Sequence, residues 1–147
     1  MDLKILLKEY FKNNKLMQLA TVSDGQPWLC NVYFVTDDDN NIYWTSARKR
    51  QHSVEILADG KAAVTIVHDD EKKQALQITG LATEVPLSDA TRVDKLYADK
   101  FGDKGRLAEV LADTPGGRAF WVFKPITISF WDELNFPDSP KQKLVNK

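Results

Sequence analysis

Apolar positions along this chain follow two rhythms, one helical and one alternating. Leu3, Leu6, Leu7, Tyr10 and Phe11 recur at i, i+3, i+4, i+7 and i+8 and form a single stripe. Asp2 stands where an N-cap belongs, and Asn13-Asn14 where the helix should stop. Strand-like runs follow over 16–22 and 28–35, joined by the hairpin signal Ser23-Asp24-Gly25. Further strands are predicted over 42–46, 62–68 and 75–85, with Gly80 placed where a bulge would go. The last are 118–124 and 126–131, which Pro125 should either break or confine to an edge.

Three more helical pieces fit between these strands. One runs from the basic turn after residue 46 to about Ala58 and is closed by Asp59-Gly60. Ser88 caps another, whose stripe is Ala90, Val93, Leu96, Tyr97 and Phe101. A short one at 107–111 precedes the breaker Thr114-Pro115-Gly116-Gly117. Asp37-Asp38-Asp39-Asn40-Asn41 reads as a solvated turn, because it lacks the glycine and distal glutamate of a calcium loop. Residues 132–147, with Pro137, Pro140 and several lysines, read as an irregular tail. Tight turns make neighbouring strands antiparallel. Six or seven strands with so few helices predict a mainly β domain with peripheral helices, a small closed or partly open barrel. A doubly wound parallel sheet is disfavoured, since strands one to five have one helical crossover among them.

Composition narrows the setting. At 147 residues, 43% hydrophobic and 28% charged, the chain reads as one domain over 1–147, large enough to fold without disulfide or metal staples. The single cysteine, Cys30, fits a reducing, cytoplasmic location and an inert packing role. A net charge of −1 argues against a general nucleic-acid binder. No apolar run reaches membrane-spanning length, and Lys4, Lys8 and Glu9 interrupt any secretory leader.

Several chemistries lack their residues. There is no Gly-x-Gly-x-x-Gly, no Gly-x-x-x-x-Gly-Lys and no Gly-x-Ser-x-Gly. Cys30, His52 and His68 lack metal-ligand spacing, so no metal site is expected, and His68 reads as an ordinary surface residue. What stands out is the stretch 42–57. A strand carrying Trp44 runs into the hydroxyls Thr45 and Ser46, then the cations Arg48, Lys49 and Arg50, then a helix. Strand-end hydroxyls, guanidinium groups and a helix N-terminus together suit a phosphate. The same run also reads as a solvated basic turn, and both readings stay open on these residues alone.

The order of segments resembles the pyridoxamine 5′-phosphate oxidase-like, FMN-binding split-barrel family. The carrying pieces are Leu-Ala-Thr-Val-Ser-Asp-Gly-Gln-Pro (19–27), 31–35, Ile-Tyr-Trp-Thr-Ser followed by Arg-x-x-x-His (42–52), Ala-Ala-Val-Thr-Ile (62–66), Gln-Ile-Thr-Gly-Leu-Ala-Thr-Glu-Val (77–85) and Pro-Ile-Thr-Ile-Ser-Phe-Trp-Asp (125–132). The resemblance implies a six-stranded antiparallel split barrel, working as a homodimer with FMN at the subunit interface. It places Thr45 and Ser46 against the phosphate and ribityl chain, and Trp44 on the strand that lines the flavin. Arg48, Lys49 and Arg50 fall in the phosphate turn, with His52 within reach of it. Asn31 and Val32 lie beside the ring edge, Gln77 faces the same cleft, and Trp131 approaches from the partner subunit. Trp44 and Trp131 also read as core or interface anchors, Gln77 as a surface polar residue and His52 as a plain helix-start residue. The family's C-terminal arginine-and-histidine substrate segment has no match in 132–147, so vitamin B6 oxidation is not implied. Deazaflavin and haem are the alternative cofactors. The first functional reading is a flavin-dependent oxidoreductase of unknown small-molecule substrate, the second a non-catalytic flavin- or haem-binding module, and the third a cofactor-less dimeric scaffold. Replacing Arg48 and Arg50 by alanine is expected to weaken FMN binding and leave the barrel folded.

Overall fold

A computed structural model describes residues 1–102 and 105–144. Helix α1 (Leu3–Asn13) opens on Asp2, whose carboxylate accepts from the Lys4 N–H at 2.9 Å, and it buries Leu6, Leu7, Tyr10 and Phe11. Strands β1 (Leu16–Ser23) and β2 (Gln26–Tyr33) form a hairpin through Asp24 and Gly25. Both turn residues have positive φ, 50° and 77°, as this tight connection requires. Then come β3 (Val35–Thr36), β4 (Ile42–Ala47), α2 (Gln51–Ala58), β5 (Lys61–Asp69) and β6 (Gln74–Glu84). A 3-10 turn at Leu87–Asp89 leads into α3 (Ala90–Phe101) and α4 (Leu107–Leu111), and β7 (Arg118–Asp132) and β8 (Lys141–Leu144) follow. The strands lie in the order β2-β1-β5-β6-β7-β4-β3, with β8 also on β7, and every pairing is antiparallel.

This sheet curls until β2 comes up against β4 without pairing to it, which leaves a barrel split along one seam. Inside, α1 plugs one end, and Met17, Leu19, Trp44, Ile66, Leu76, Trp121 and Phe130 pack around it. A second core lies outside the barrel, where Val93 and Tyr97 of α3 and Val110 of α4 cover Tyr43, Phe120 and Val122. Strand β7 is therefore buried on both faces from Ala119 to Phe123, which accounts for its continuous apolar run.

Four expectations need correcting. The run 28–35 is not one strand, because Phe34 turns into the core, its N–H bonding the Lys15 carbonyl at 3.0 Å, and Val35 then pairs with β4. Part of the supposed irregular tail is β8, paired with β7 over Ile128–Trp131; 145–147 lie outside the described residues. His68 is no free surface group: it stacks on Tyr10 at 4.2 Å, and its Nδ1 lies 2.9 Å from the Asn14 side chain. Asp37, too, is less solvated than its acidic run suggested. Its carboxylate holds the turn through the Asp39 and Asn41 N–H groups and the Tyr43 hydroxyl.

Pro125 neither ends β7 nor costs it a ladder bond. On that edge the pairing with β4 ends at Phe123 and the pairing with β8 begins at Ile128, so no strand among the described residues faces the missing N–H. Opposite it the register shifts between Thr79 and Gly80. A Cβ at Gly80 would run into the Lys124 carbonyl oxygen and lie 2.8 Å from the Phe123 ring. Gly80→Ala should therefore lower stability by about 1–3 kcal/mol, read from the urea midpoint.

Lys100 makes stability depend on pH. Its Nζ lies 3.8 Å from the Phe34 ring centroid and donates to the Phe11 carbonyl at the end of α1 (3.0 Å). Burial, and then the charge of Lys15, pull its pKa from 10.5 down to about 8. Between those values the unfolded chain holds more protons, so stability should rise with pH across that window. Above pH 10 the sign reverses, because buried Tyr10 and Tyr97 keep their protons when folded. Urea midpoints from pH 7.5 upward should show the rise, and Lys100→Met should flatten it.

Candidate functional site

Along the seam between β2 and β4 opens a cleft of about 930 Å³. Thr45 and Ser46 face it from β4, His52 from α2, Asn31, Val32 and Tyr33 from β2, and Lys15 from the turn before β1. Tyr97 and Phe101 of α3, Arg106, and Arg118 at the start of β7 complete the wall. The antiparallel register of β4 and β7 sets Arg118 opposite Ala47, so the cation arrives beside the strand-end hydroxyls from far along the sequence.

The hydroxyl end is rigidly built. The Ser46 Oγ lies 2.9 Å from His52 Nε2, both residues being 8% exposed, and the Ser46 carbonyl accepts from the Trp121 indole at 3.0 Å. The Thr45 Oγ1 donates to the Ala119 carbonyl at 3.2 Å and accepts from Arg118 Nη1 at 3.4 Å. Burial pushes His52 below the usual imidazole range; the nearby Arg50 charge adds to this and Glu55 opposes it. His52 is therefore neutral at pH 7, a hydrogen-bonding partner rather than a charge.

Two groups here are under-used. Arg118 and Arg48 are similarly buried, with side chains 23% and 19% exposed. Arg48 donates to both Glu84 oxygens (2.8 and 3.2 Å), to Asp113 (2.8 Å) and to the Thr114 carbonyl (3.3 Å). Arg118 makes only the long hydrogen bond to Thr45 among the described residues, with the Glu109 carboxylate 3.4 Å from its Nε as a loose ion pair. Burial first, and then the charge of Arg106, push the Arg118 guanidinium below its ordinary range, with the charge of Glu109 opposing them. The Tyr97 hydroxyl, 3% exposed on the same wall, makes no well-formed hydrogen bond among the described residues, the Thr45 backbone giving it only a weak interaction. Its pKa is raised by burial, so it stays protonated as a donor. A largely buried, loosely paired cation beside the hydroxyls of Tyr97, Thr45 and Ser46 matches the oxygens of a phosphate group.

The cleft thus brings together Asn31, Val32, Thr45, Ser46 and His52 of the residues singled out from the sequence. The others lie elsewhere. Trp44 is fully buried in the main core. Arg48 is taken up by Glu84 and Asp113, a clamp between the turn after β4 and two distant segments, and points its donors away from the cleft. Lys49 is exposed in that turn, and Arg50, also exposed, flanks the start of α2 close enough to influence His52 and Arg118. Gln77 lines a separate groove of about 370 Å³ on the outer sheet face, with Gln18, Ala20 and Thr127. Trp131 is 41% exposed, and its indole donates to Glu133 at 2.8 Å. Arg118, Tyr97 and Arg106 went unnoticed in the sequence. The one available signal was the register of strand 118–124 against strand 42–46.

A curled antiparallel sheet, open at one seam with a phosphate-suited cleft in the opening, defines a protein of the split-barrel class. The sequence matches the pyridoxamine 5′-phosphate oxidase family over residues 3–132, and the chain belongs to that family. Similar solved structures include a Clostridium acetobutylicum protein related to general stress protein 26, of the pyridoxinephosphate oxidase family. It is 13% identical, with 98% of this chain and 96% of that one covered and a TM-score of 0.71. The haem storage protein HutZ from Vibrio cholerae is 18% identical, over 85% of this chain and 91% of its own, with a TM-score of 0.67. An FAD-binding protein from Mesorhizobium loti is 18% identical, over 86% and 91%, with a TM-score of 0.65. At these identities the likeness is one of fold. No curated protein sequence matches the chain. No helix among the described residues is long and apolar enough to cross a membrane, and none of their His, Cys, Asp and Glu side chains cluster as a metal site would need.

Proposed function

We propose that this chain binds FMN in the seam cleft and acts as a cytoplasmic, homodimeric flavin-dependent oxidoreductase on a small molecule. The observation that carries the reading is Arg118: largely buried, held among the described residues by one long hydrogen bond and a loose ion pair with Glu109, and set against Thr45, Ser46 and the buried Tyr97 hydroxyl. These groups would hold the phosphate, with His52 fixing the Ser46 hydroxyl. Asn31, Val32 and Tyr33 would flank the ring system. Bound flavin supplies the redox chemistry, and the protein supplies grip, orientation and a partly dry site. A second subunit is supported by edge strand β2, which leaves Trp28, Leu29 and Tyr33 42%, 63% and 64% exposed along its length, Tyr33 at the cleft wall.

Deazaflavin would use the same grip. Haem, which a structural neighbour stores, would set a propionate on Arg118. The histidines favour flavin over haem: His52 Nε2 is engaged by Ser46, and His68 is packed on Tyr10 away from the cleft. Titration of FMN into the protein should give saturable quenching of flavin fluorescence, and light scattering should give twice the chain mass. A Soret band on haem addition without any flavin response would overturn the flavin reading in favour of haem.

A further inference from the structure

Arg118 has one acidic neighbour in the cleft wall. Its Nε lies 3.4 Å from Glu109 Oε2, and Arg106 Nε lies 3.7 Å from the same oxygen. Both separations exceed those of charge-assisted hydrogen bonds, and neither contact has hydrogen-bond geometry. Glu109 is 59% exposed and belongs to α4, whose one buried side chain is Val110. A carboxylate held this way is loosely placed and easily exchanged. It faces Arg118 and Arg106, and the charge of Arg50 also reaches Arg118, so one negative group stands against several positive ones. The buried Tyr97 hydroxyl, without a well-formed hydrogen bond among the described residues, offers a further donor to a ligand oxygen on the same wall.

We propose that Glu109 is a resident counter-ion, occupying Arg118 in the ligand-free chain and giving it up to an incoming phosphate dianion. This rests on reading the cleft as a phosphate site. A phosphate monoester brings more charge and more acceptor oxygens than one carboxylate, so it displaces Glu109. A monoanion of Glu109's own charge gains little by the exchange, and an uncharged ligand gains nothing. Glu109 thus sets which anions Arg118 accepts and keeps phosphate binding reversible.

The test compares the full chain with Glu109→Gln, using FMN, riboflavin and inorganic phosphate as probes. FMN should bind the variant about two- to fivefold more tightly, the scale of one exposed ion pair, while riboflavin affinity is unchanged. Chloride should also compete with FMN more effectively in the variant, because the arginine is no longer guarded. Equal or weaker FMN binding would make Glu109 a group that orients Arg118, and would overturn the proposal. So would an equal gain for riboflavin. If neither protein binds FMN, the flavin reading falls, and inorganic phosphate decides on Glu109. A larger rise in thermal midpoint with phosphate for the variant upholds the counter-ion role, and no difference between the two overturns it.

Discussion

An Asp132→Ala variant is expected to lose roughly 3–5 kcal/mol of stability, read as a lower urea midpoint at unchanged slope. Asp132 has no exposed surface, and its carboxylate accepts from the Tyr10 hydroxyl (2.8 Å), the Gln74 amide (3.2 Å to each oxygen), and the Asn135 N–H (2.9 Å) and side chain (2.8 Å). These donors come from α1, β6 and the turn after β7, so one side chain ties the helical plug to the sheet and to the start of the tail. Burial alone would raise its pKa, but the hydrogen bonds from Asn135, Tyr10 and Gln74 win and hold it below the ordinary 3.8. Its contribution is therefore complete above pH 3.8 and lost as pH falls through the lower folded value. Truncation strands Tyr10 and Gln74 without acceptors in the interior, each costing about 1–3 kcal/mol. Against the 5–15 kcal/mol typical of such domains, this is a large fraction of the total. Asp132→Asn keeps the shape and one acceptor and should lose about half as much.

The second large effect concerns the ligand. Arg118→Met should weaken FMN binding by about 1.5–3 kcal/mol, roughly ten- to a hundredfold, with little change for riboflavin. Methionine retains much of the buried stem and removes only the guanidinium. Arg48→Ala should do the reverse, leaving FMN affinity close to that of the parent and lowering stability by about 1 kcal/mol through the lost Glu84 and Asp113 contacts. Parallel fluorescence titrations and urea melts of the two variants separate the roles. A large loss of FMN affinity on Arg48→Ala together with none on Arg118→Met would return the phosphate to the basic turn.

The contrast between these arginines explains what could be read before folding. Alternation revealed most of the strands, and the hydroxyl pair Thr45-Ser46 with His52 was legible because its members are neighbours in sequence. A run of three cations, however, does not say which one turns inward. The carboxylates that claim Arg48 come from β6 and from the turn before β7, and only the folded register supplies them. Arg118 was hidden for the same reason in reverse, as an unremarkable first residue of a strand. Strand β8 was missed because its pairing, not its local pattern, makes it a strand. Trp44 drew notice as a flavin neighbour since an aromatic residue beside a polar turn reads alike whether it points to a ligand or to a core.

The cleft owes its existence to hydrogen bonds that the sheet does not make. Over Trp44–Ser46 the outer edge of β4 pairs with no strand among the described residues, and β2 offers an equally bare edge across the gap. Zipping those two edges together would abolish both loose margins and harden the molecule against heat, yet it would also erase the cavity. Selection for thermal robustness alone would thus drive this fold toward a sealed and inert cylinder, so its usefulness depends on remaining ajar.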